Sequence, residues 1–226
     1  MTGSVLVGFG VVLAPGRRKR WFRNVFLPTA RTSGMLITVS GPAGSGKSTF
    51  AAALADELGY EHVSGGDIFR SLADERGVSL VEFNRLAEED DQVDRELDAR
   101  LREVGREREN VILESRLAGW MAGDYADLKF WLDAPLDVRI DRVAEREDKS
   151  TETARQETTD RAESEARRYE EYYGIDIEDR SIYDLAINTA RWSPEVEVEF
   201  VVRAIETYEP DADEGAVSVT GVDYDF

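Results

Sequence analysis

The stretch LITVSGPAGSGKST, Leu36 to Thr49, decides the fold. Leu36 to Ser40 is a short apolar run suited to a buried parallel strand, and Lys47 to Leu58 repeats Phe50, Leu54 and Leu58 at a helical period. Between them Gly41, Gly44, Gly46, Lys47 and Ser48 meet the spacing G-x-x-x-x-G-K-[ST]. Glycines let the loop Gly41, Pro42, Ala43, Gly44, Ser45, Gly46 wrap an anion with its amides inward, and the helix N-terminus adds its field there. Lys47 can reach the β- and γ-phosphates, the Ser48 hydroxyl can ligate Mg²⁺, and Thr49 closes the set of expected nucleotide contacts. A nucleoside triphosphate site is therefore expected, while hydrolysis and phosphoryl transfer both remain open at this point.

Outward from the loop, strands alternate with helical crossovers, which predicts a three-layer α/β domain with a central parallel sheet. Tyr60 to Ser64, Asn110 to Glu114, Leu128 to Leu132 and Tyr183 to Ile187 read as strands. Helices are expected from near Asp67, over Ser79 to Arg102, over Leu136 to Glu147 behind Pro135, and over Pro194 to Thr207. Two charge-rich segments, 67–108 and 149–173, are candidates for parts that surround a site. The residues after 207 carry acids and no base and read as a disordered, solvated tail, despite the VSV run at Val217 to Val219.

Composition narrows the function classes. The formal charge is -19, from 47 acidic and 28 basic residues, which disfavours bulk nucleic-acid binding and suits a protein that stays soluble in concentrated salt. No cysteine is present and His62 is the single histidine, so disulfides and thiolate or histidine-rich metal centres are excluded, and a cytoplasmic location is expected. Residues 1–34 differ: they hold Arg17, Arg18, Lys19, Arg20, Arg23 and Arg31 with no acid. The apolar run Val5 to Ala14 is too short to cross a bilayer and precedes the basic cluster, the reverse of a secretory signal, so no stable membrane insertion is expected. This basic extension reads as a disordered arm or as a preface to a chain that starts at Met35.

Two further stretches bear on the reaction. In VSGGDIFR, Val63 to Arg70, Asp67 can cap a helix and Arg70, one turn later, can present two donors to a phosphate. In VILESRLAGW, Val111 to Trp120, Glu114 ends a strand where a carboxylate can orient a Mg²⁺-bound water, and Arg116 can hold an acceptor phosphate. Arg70 and Arg116 together suggest a second anion site. An ATPase switch or partner-binding module would instead call for a long exposed apolar helix face, and the candidate insertions are charged.

The stretches SGPAGSGKST, HVSGGDIFR, FNRLAEEDDQVDRELD, LESRLAGW, RAESEARRYEEYYGIDI and SIYDLAINTARW resemble the archaeal cytidylate kinases, within the nucleoside monophosphate kinases. The resemblance spans Met35 to about Thr207. It implies transfer of the γ-phosphoryl group of ATP, as its Mg²⁺ complex, to CMP and dCMP by a monomer. It further implies that 67–108 encloses the monophosphate and that a lid carrying Arg161 and Arg168 closes over the transferring group. An adenylate kinase or another small-acceptor kinase is the alternative. The family has glycine where this chain has Ser115, whose hydroxymethyl group either donates a hydrogen bond near the acceptor or crowds it. Asp91, Asp94 and Arg95 could address the polar edge of the base, although most charges in that segment read as ordinary solvated helix positions, and Tyr169, Tyr172 and Tyr173 read as lid packing.

Overall fold

The computed structural model describes residues 34–212, 218–222 and 224. The expectations for 1–33 and for 213–217 lie outside the described residues.

Five parallel strands form one sheet: β1 (Leu36–Ser40), β2 (Glu61–Ser64), β3 (Val111–Glu114), β4 (Leu128–Asp133) and β5 (Leu185–Asn188), in the order β2-β3-β1-β4-β5. β1 is buried at every position, as a central parallel strand covered on both faces must be. One face is closed by α1 (Lys47–Leu58) and α8 (Pro194–Thr207): Phe50, Leu54, Val198 and Val201 pack on Ile37, Val39, Phe130 and Ile187. The other is closed by α4 (Asp91–Glu107), α5 (Ala118–Ala122) and α7 (Thr151–Tyr173), through Leu101, Val104, Trp120, Tyr169 and Tyr173 on Leu36, Val111 and Leu113. The expected three layers and the packing role of Tyr169 and Tyr173 are thus observed.

Two smaller cores hang on this frame. α2 (Gly65–Glu75) and α3 (Leu80–Glu89) close on α4 through Leu72, Phe83, Ala87 and Val93. α6 (Leu136–Glu147) meets the start of α7 through Ile140, Val143 and Ala154. The regions expected to enclose the acceptor and to form the lid therefore carry hydrophobic contacts of their own, besides those that α4 and α7 make with the sheet.

Several expectations are corrected. The largely helical stretch expected over Ser79 to Arg102 is divided between two helices, because Asp90 leaves helical geometry (φ -140, ψ 112), ends α3, and caps α4 by accepting from the Gln92 N–H at 3.0 Å. α2 starts at Gly65 with Ser64 at its N-cap, so Asp67 lies in the first turn and is not the cap. Gly65 is required there, since a Cβ would stand 2.7 Å from the Ser115 Cβ. The last strand begins at Leu185 and not at Tyr183.

The tail is also more ordered than expected. The Val219 N–H donates to Asp124 Oδ1 at 2.9 Å, the Tyr224 hydroxyl donates to the Trp120 carbonyl at 2.7 Å, and the Arg102 guanidinium stacks 3.5 Å from the Tyr224 ring centroid. Val219 and Val222 pack on the core formed with α4, α5 and α7. Tyr224→Ala loses the hydrogen bond and the stacking together, worth about 2 kcal/mol, so a thermal melt should show the Tm lower by about 4 °C or more.

Candidate active site

Parallel α/β sheets bind ligands beyond the carboxyl ends of their strands, at the point where strand order reverses. Here that point is the end of β1, and the neighbouring strands end in polar residues: Ser40, Ser64, Glu114, Asp133 and Asn188.

The glycine loop leaves β1 with Gly44 at φ 75 and Gly46 at φ 87, left-handed conformations that only glycine adopts at low cost. Gly44 also lies against α6, where a Cβ would meet the Arg139 carbonyl oxygen at 2.4 Å. The loop carbonyls are each engaged by the surrounding protein. Pro42 O accepts from the Ser45 N–H at 3.3 Å and Ala43 O from Arg139 Nη1 at 3.3 Å. Gly44 O accepts from Arg142 Nη1 at 3.2 Å and Ser45 O from Thr189 Oγ1 at 2.7 Å. Arg142 also donates to the Thr189 hydroxyl (2.9 Å) and carbonyl (3.0 Å). Satisfying the carbonyls from outside fixes the peptide dipoles and frees the opposite, N–H ends for an anion. At Gly46, no side chain caps α1, so its first amides keep their field for the same ligand.

Lys47 opens α1 with its ammonium 3.6 Å from Glu114 Oε1 and 3.4 Å from the Pro42 carbonyl. Burial pushes its pKa down to about 8, against the pull of Glu114, with Arg116 adding to the depression. It is still mostly protonated at neutral pH. Glu114 is buried at the end of β3; its Oε2 accepts from the Ser64 hydroxyl at 3.0 Å and stands 4.0 Å from His62 Nε2.

No group of three or more His, Cys, Asp or Glu suited to a metal occurs among the described residues. Mg²⁺ does not need one, because it keeps waters and takes phosphate oxygens along with one or two protein oxygens. The exposed Ser48 hydroxyl at the start of α1 and the Glu114 carboxylate at the end of β3 are hard oxygen donors of that kind.

On the acceptor side, Arg70 and Arg116 engage different carboxylates. Arg70 is exposed and ion-paired with Asp67 on the same helix. Arg116 is part-buried and ion-paired with the buried Glu165 at 2.7 Å through Oε2, and Arg161 donates through Nε to Glu165 Oε1 at 2.8 Å. Arg168 turns toward α4, donating to Asp94 Oδ2 at 2.7 Å and to the Ser164 hydroxyl at 2.8 Å. Ser115 spends its hydroxyl locally, accepting from the Leu117 N–H at 3.2 Å, and its backbone φ is not positive. A groove of about 380 Å³ beside β2 and α4 is lined by His62, Ser64, Asp67, Arg100 and Arg108 among others; Lys47, Arg70 and Arg116 do not line it.

Arg139, Arg142, Thr189 and Glu165 were not expected from sequence. Arg139 and Arg142 carried one readable signal, a spacing that places both near the start of the helix behind Pro135. Their target, the back of the glycine loop, has none.

Asp94 and Asp98 stand one turn apart on α4, both buried. Burial, and then the charge of Asp94, pushes Asp98 up to about 8, while Tyr173 and Arg168 from α7 pull the other way. The native protein thus holds a proton that the unfolded chain releases near pH 4, so this group makes stability fall as pH rises from about 5 to 8, by up to about 1.4 kcal/mol per unit. Asp98→Asn should flatten that decline in denaturant melts across the range; an unchanged slope would refute the assignment.

A parallel sheet of this order, a pinned glycine loop with its lysine, and a pair of arginines sharing the buried Glu165 define a P-loop phosphotransferase. The chain belongs to the cytidylate kinase-like family, whose model matches residues 36–191. It is 62% identical over 192 residues to a cytidylate kinase of Haloarcula marismortui and 64% identical over 192 residues to one of Natronomonas pharaonis, covering 85% of this chain and 100% of each relative. With a cytidylate kinase of Pyrococcus horikoshii it shares 49% over 182 residues, 80% of this chain and 94% of that one. Among solved structures, an uncharacterized protein from Eubacterium ventriosum superposes with a TM-score of 0.59 at 16% identity, covering 77% of this chain and 99% of that one. A shikimate kinase from Bacteroides thetaiotaomicron superposes with a TM-score of 0.54 at 19% identity, covering 76% and 98%. These two likenesses concern the fold alone. No helix among the described residues is long and apolar enough to cross a membrane.

Proposed function

We infer that the protein transfers the γ-phosphoryl group of ATP to CMP, and also to dCMP, giving ADP and the nucleoside diphosphate. The observation that carries this reading is the set of cations held by buried carboxylates, Lys47 on Glu114 at the glycine loop and Arg116 with Arg161 on Glu165, in a chain of the cytidylate kinase-like family. The loop amides from Gly41 to Thr49 bind the β- and γ-phosphates, and Lys47 follows the charge that moves between them. Ser48 and Glu114 would hold Mg²⁺, Glu114 through water; bound with ATP, the ion neutralises charge on the phosphoryl oxygens. Asp67, Arg70 and Arg116 address the acceptor, with Arg70 leaving Asp67 to do so.

An oxygen of the CMP phosphate attacks the γ-phosphorus in line, one P–O bond forms as the bond to the β-phosphate oxygen breaks, and ADP leaves. The attacking group is already ionised, so no general base is needed. Positioning and charge neutralisation carry the step, with Arg161 brought in by α7 as water is excluded, while Arg168 ties α7 to Asp94 on α4.

An acceptor panel with ATP and Mg²⁺ at high KCl tests the assignment. ADP formation should require CMP or dCMP; a strong preference for AMP would make this an adenylate kinase. A chain begun at Met35, which enters the core as the residue before β1, should fold and retain the activity. Loss of activity there would assign a working role to the preceding segment. We take the enzyme to act as a monomer, which sedimentation at high salt checks.

A further inference from the structure

The carboxylate of Glu165 sits where chemistry calls for a phosphate. It is buried midway along α7, contacts Arg116 at 2.7 Å through one oxygen, and accepts from Arg161 at 2.8 Å through the other. The first of these contacts lacks hydrogen-bond geometry, and Oε2 accepts no hydrogen bond among the described residues. A buried carboxylate oxygen in that state is costly, and a guanidinium fork is better matched by two parallel acceptors. Glu165 is therefore an imperfect ligand for the arginine expected to hold the acceptor.

Charge points the same way. Lys47, Arg116 and Arg161 are countered by Glu114 and Glu165. Without Glu165, Arg116 and Arg161 would face each other with reduced compensation. Once a phosphate dianion enters the fork, the same carboxylate becomes a buried like-charge neighbour.

We propose that Glu165 is a positioning residue: it holds Arg116 and Arg161 together in place of the acceptor's phosphate, and the phosphate of the incoming nucleoside monophosphate displaces it. The proposal rests on the acceptor-site reading above. Displacement frees the carboxylate on the helix that carries Arg161 and Arg168, so acceptor binding and the setting of α7 become one event. The competing carboxylate also lowers acceptor affinity, because only the fraction of molecules with an open fork can bind.

CMP binding without ATP, followed by titration calorimetry, separates the possibilities. Arg116→Ala should weaken CMP at least tenfold. Glu165→Gln, which keeps the shape and removes the charge, should tighten CMP about fivefold, with the KM for CMP falling too. A merely structural Glu165 would give weaker binding, whatever happens to the Tm. Weaker or unchanged binding in Glu165→Gln, with Arg116→Ala impaired, overturns the displacement and leaves Arg116 as acceptor ligand. No effect of Arg116→Ala sinks the acceptor-site reading and the displacement with it. Should Glu165→Gln not fold, Glu165→Asp, too short to span both guanidiniums, carries the same test: tighter CMP supports displacement, and equal or weaker CMP overturns it.

Discussion

Lys47→Ala lowers kcat about a thousandfold while weakening ATP binding only about tenfold. The asymmetry follows from how the glycine loop is built. The carbonyls of Ala43, Gly44 and Ser45 are held from behind by Arg139, Arg142 and Thr189, none of which depends on Lys47, and Pro42 keeps its bond from the Ser45 N–H, so the amides that bind the ground-state phosphates survive the substitution. What is lost is a cation able to follow charge onto the β-phosphate oxygen as the bond breaks, in a buried setting where it counts for more than in water. A thousandfold corresponds to about 4 kcal/mol of transition-state stabilisation. Arginine at this position should not restore the rate, since its planar fork is larger and cannot be placed as a point charge. Steady-state kinetics with CMP varied, alongside direct ATP binding, read out both quantities. Turnover within a factor of three of the parent, in a folded Lys47→Ala protein, would remove Lys47 from the reaction.

How much of this site can be read from sequence depends on the distance over which each interaction is made. The glycine loop is legible because every part of its chemistry is local: an apolar strand, glycines at left-handed positions, a lysine and a hydroxyl on the first turn of a helix. Glu114 and Arg116 are legible for the same reason, as polar residues at a strand's end. The break at Asp90 is harder, because apolar residues continue at helical spacing from Phe83 to Leu101. Packing does not mark it either, since Phe83 before the break and Val93 after it share the small core with α2; the mark is Asp90 itself, which leaves helical geometry and caps α4. Arg142 and Thr189 lie 47 residues apart and meet behind a loop at Gly44, which no local pattern announces. Glu165 is the extreme case. Within 149–173 it is one acid among many on a helix that reads as solvated, and its burial follows from α7 packing on the sheet beside Arg116. The composition after 207 is that of a solvated chain, and nothing local marks Val219, Val222 and Tyr224 as residues that dock on the core.

Arg161→Ala should lower kcat by about a hundredfold or more, with the Tm nearly unchanged, and Arg168→Ala should show the opposite balance. The sequence treats these two arginines alike, and the structure separates them. Arg161 is half exposed, and the carboxylate it engages keeps Arg116 as a second partner, so its removal leaves no buried charge alone. The substitution therefore takes little from the fold. It does take a cation that α7 can bring to the transferring phosphoryl group, a contribution that in other phosphotransferases reaches a thousandfold or more. Arg168 is largely buried against Asp94, and Asp94 stands beside Asp98 on α4. Removing Arg168 leaves a carboxylate pair facing Tyr173 without its cation, which costs about 3 kcal/mol or more in a buried setting. Burial raises Asp94 toward the neutral form, and without Arg168 it should take up a proton at higher pH still, so the loss of stability should grow as pH rises. Melts at several pH values, paired with single-turnover phosphotransfer, distinguish the two residues. A stable Arg168→Ala protein with kcat reduced as far as in Arg161→Ala would mean that both arginines reach the phosphoryl group, and that α7 moves away from Asp94 when the substrates bind.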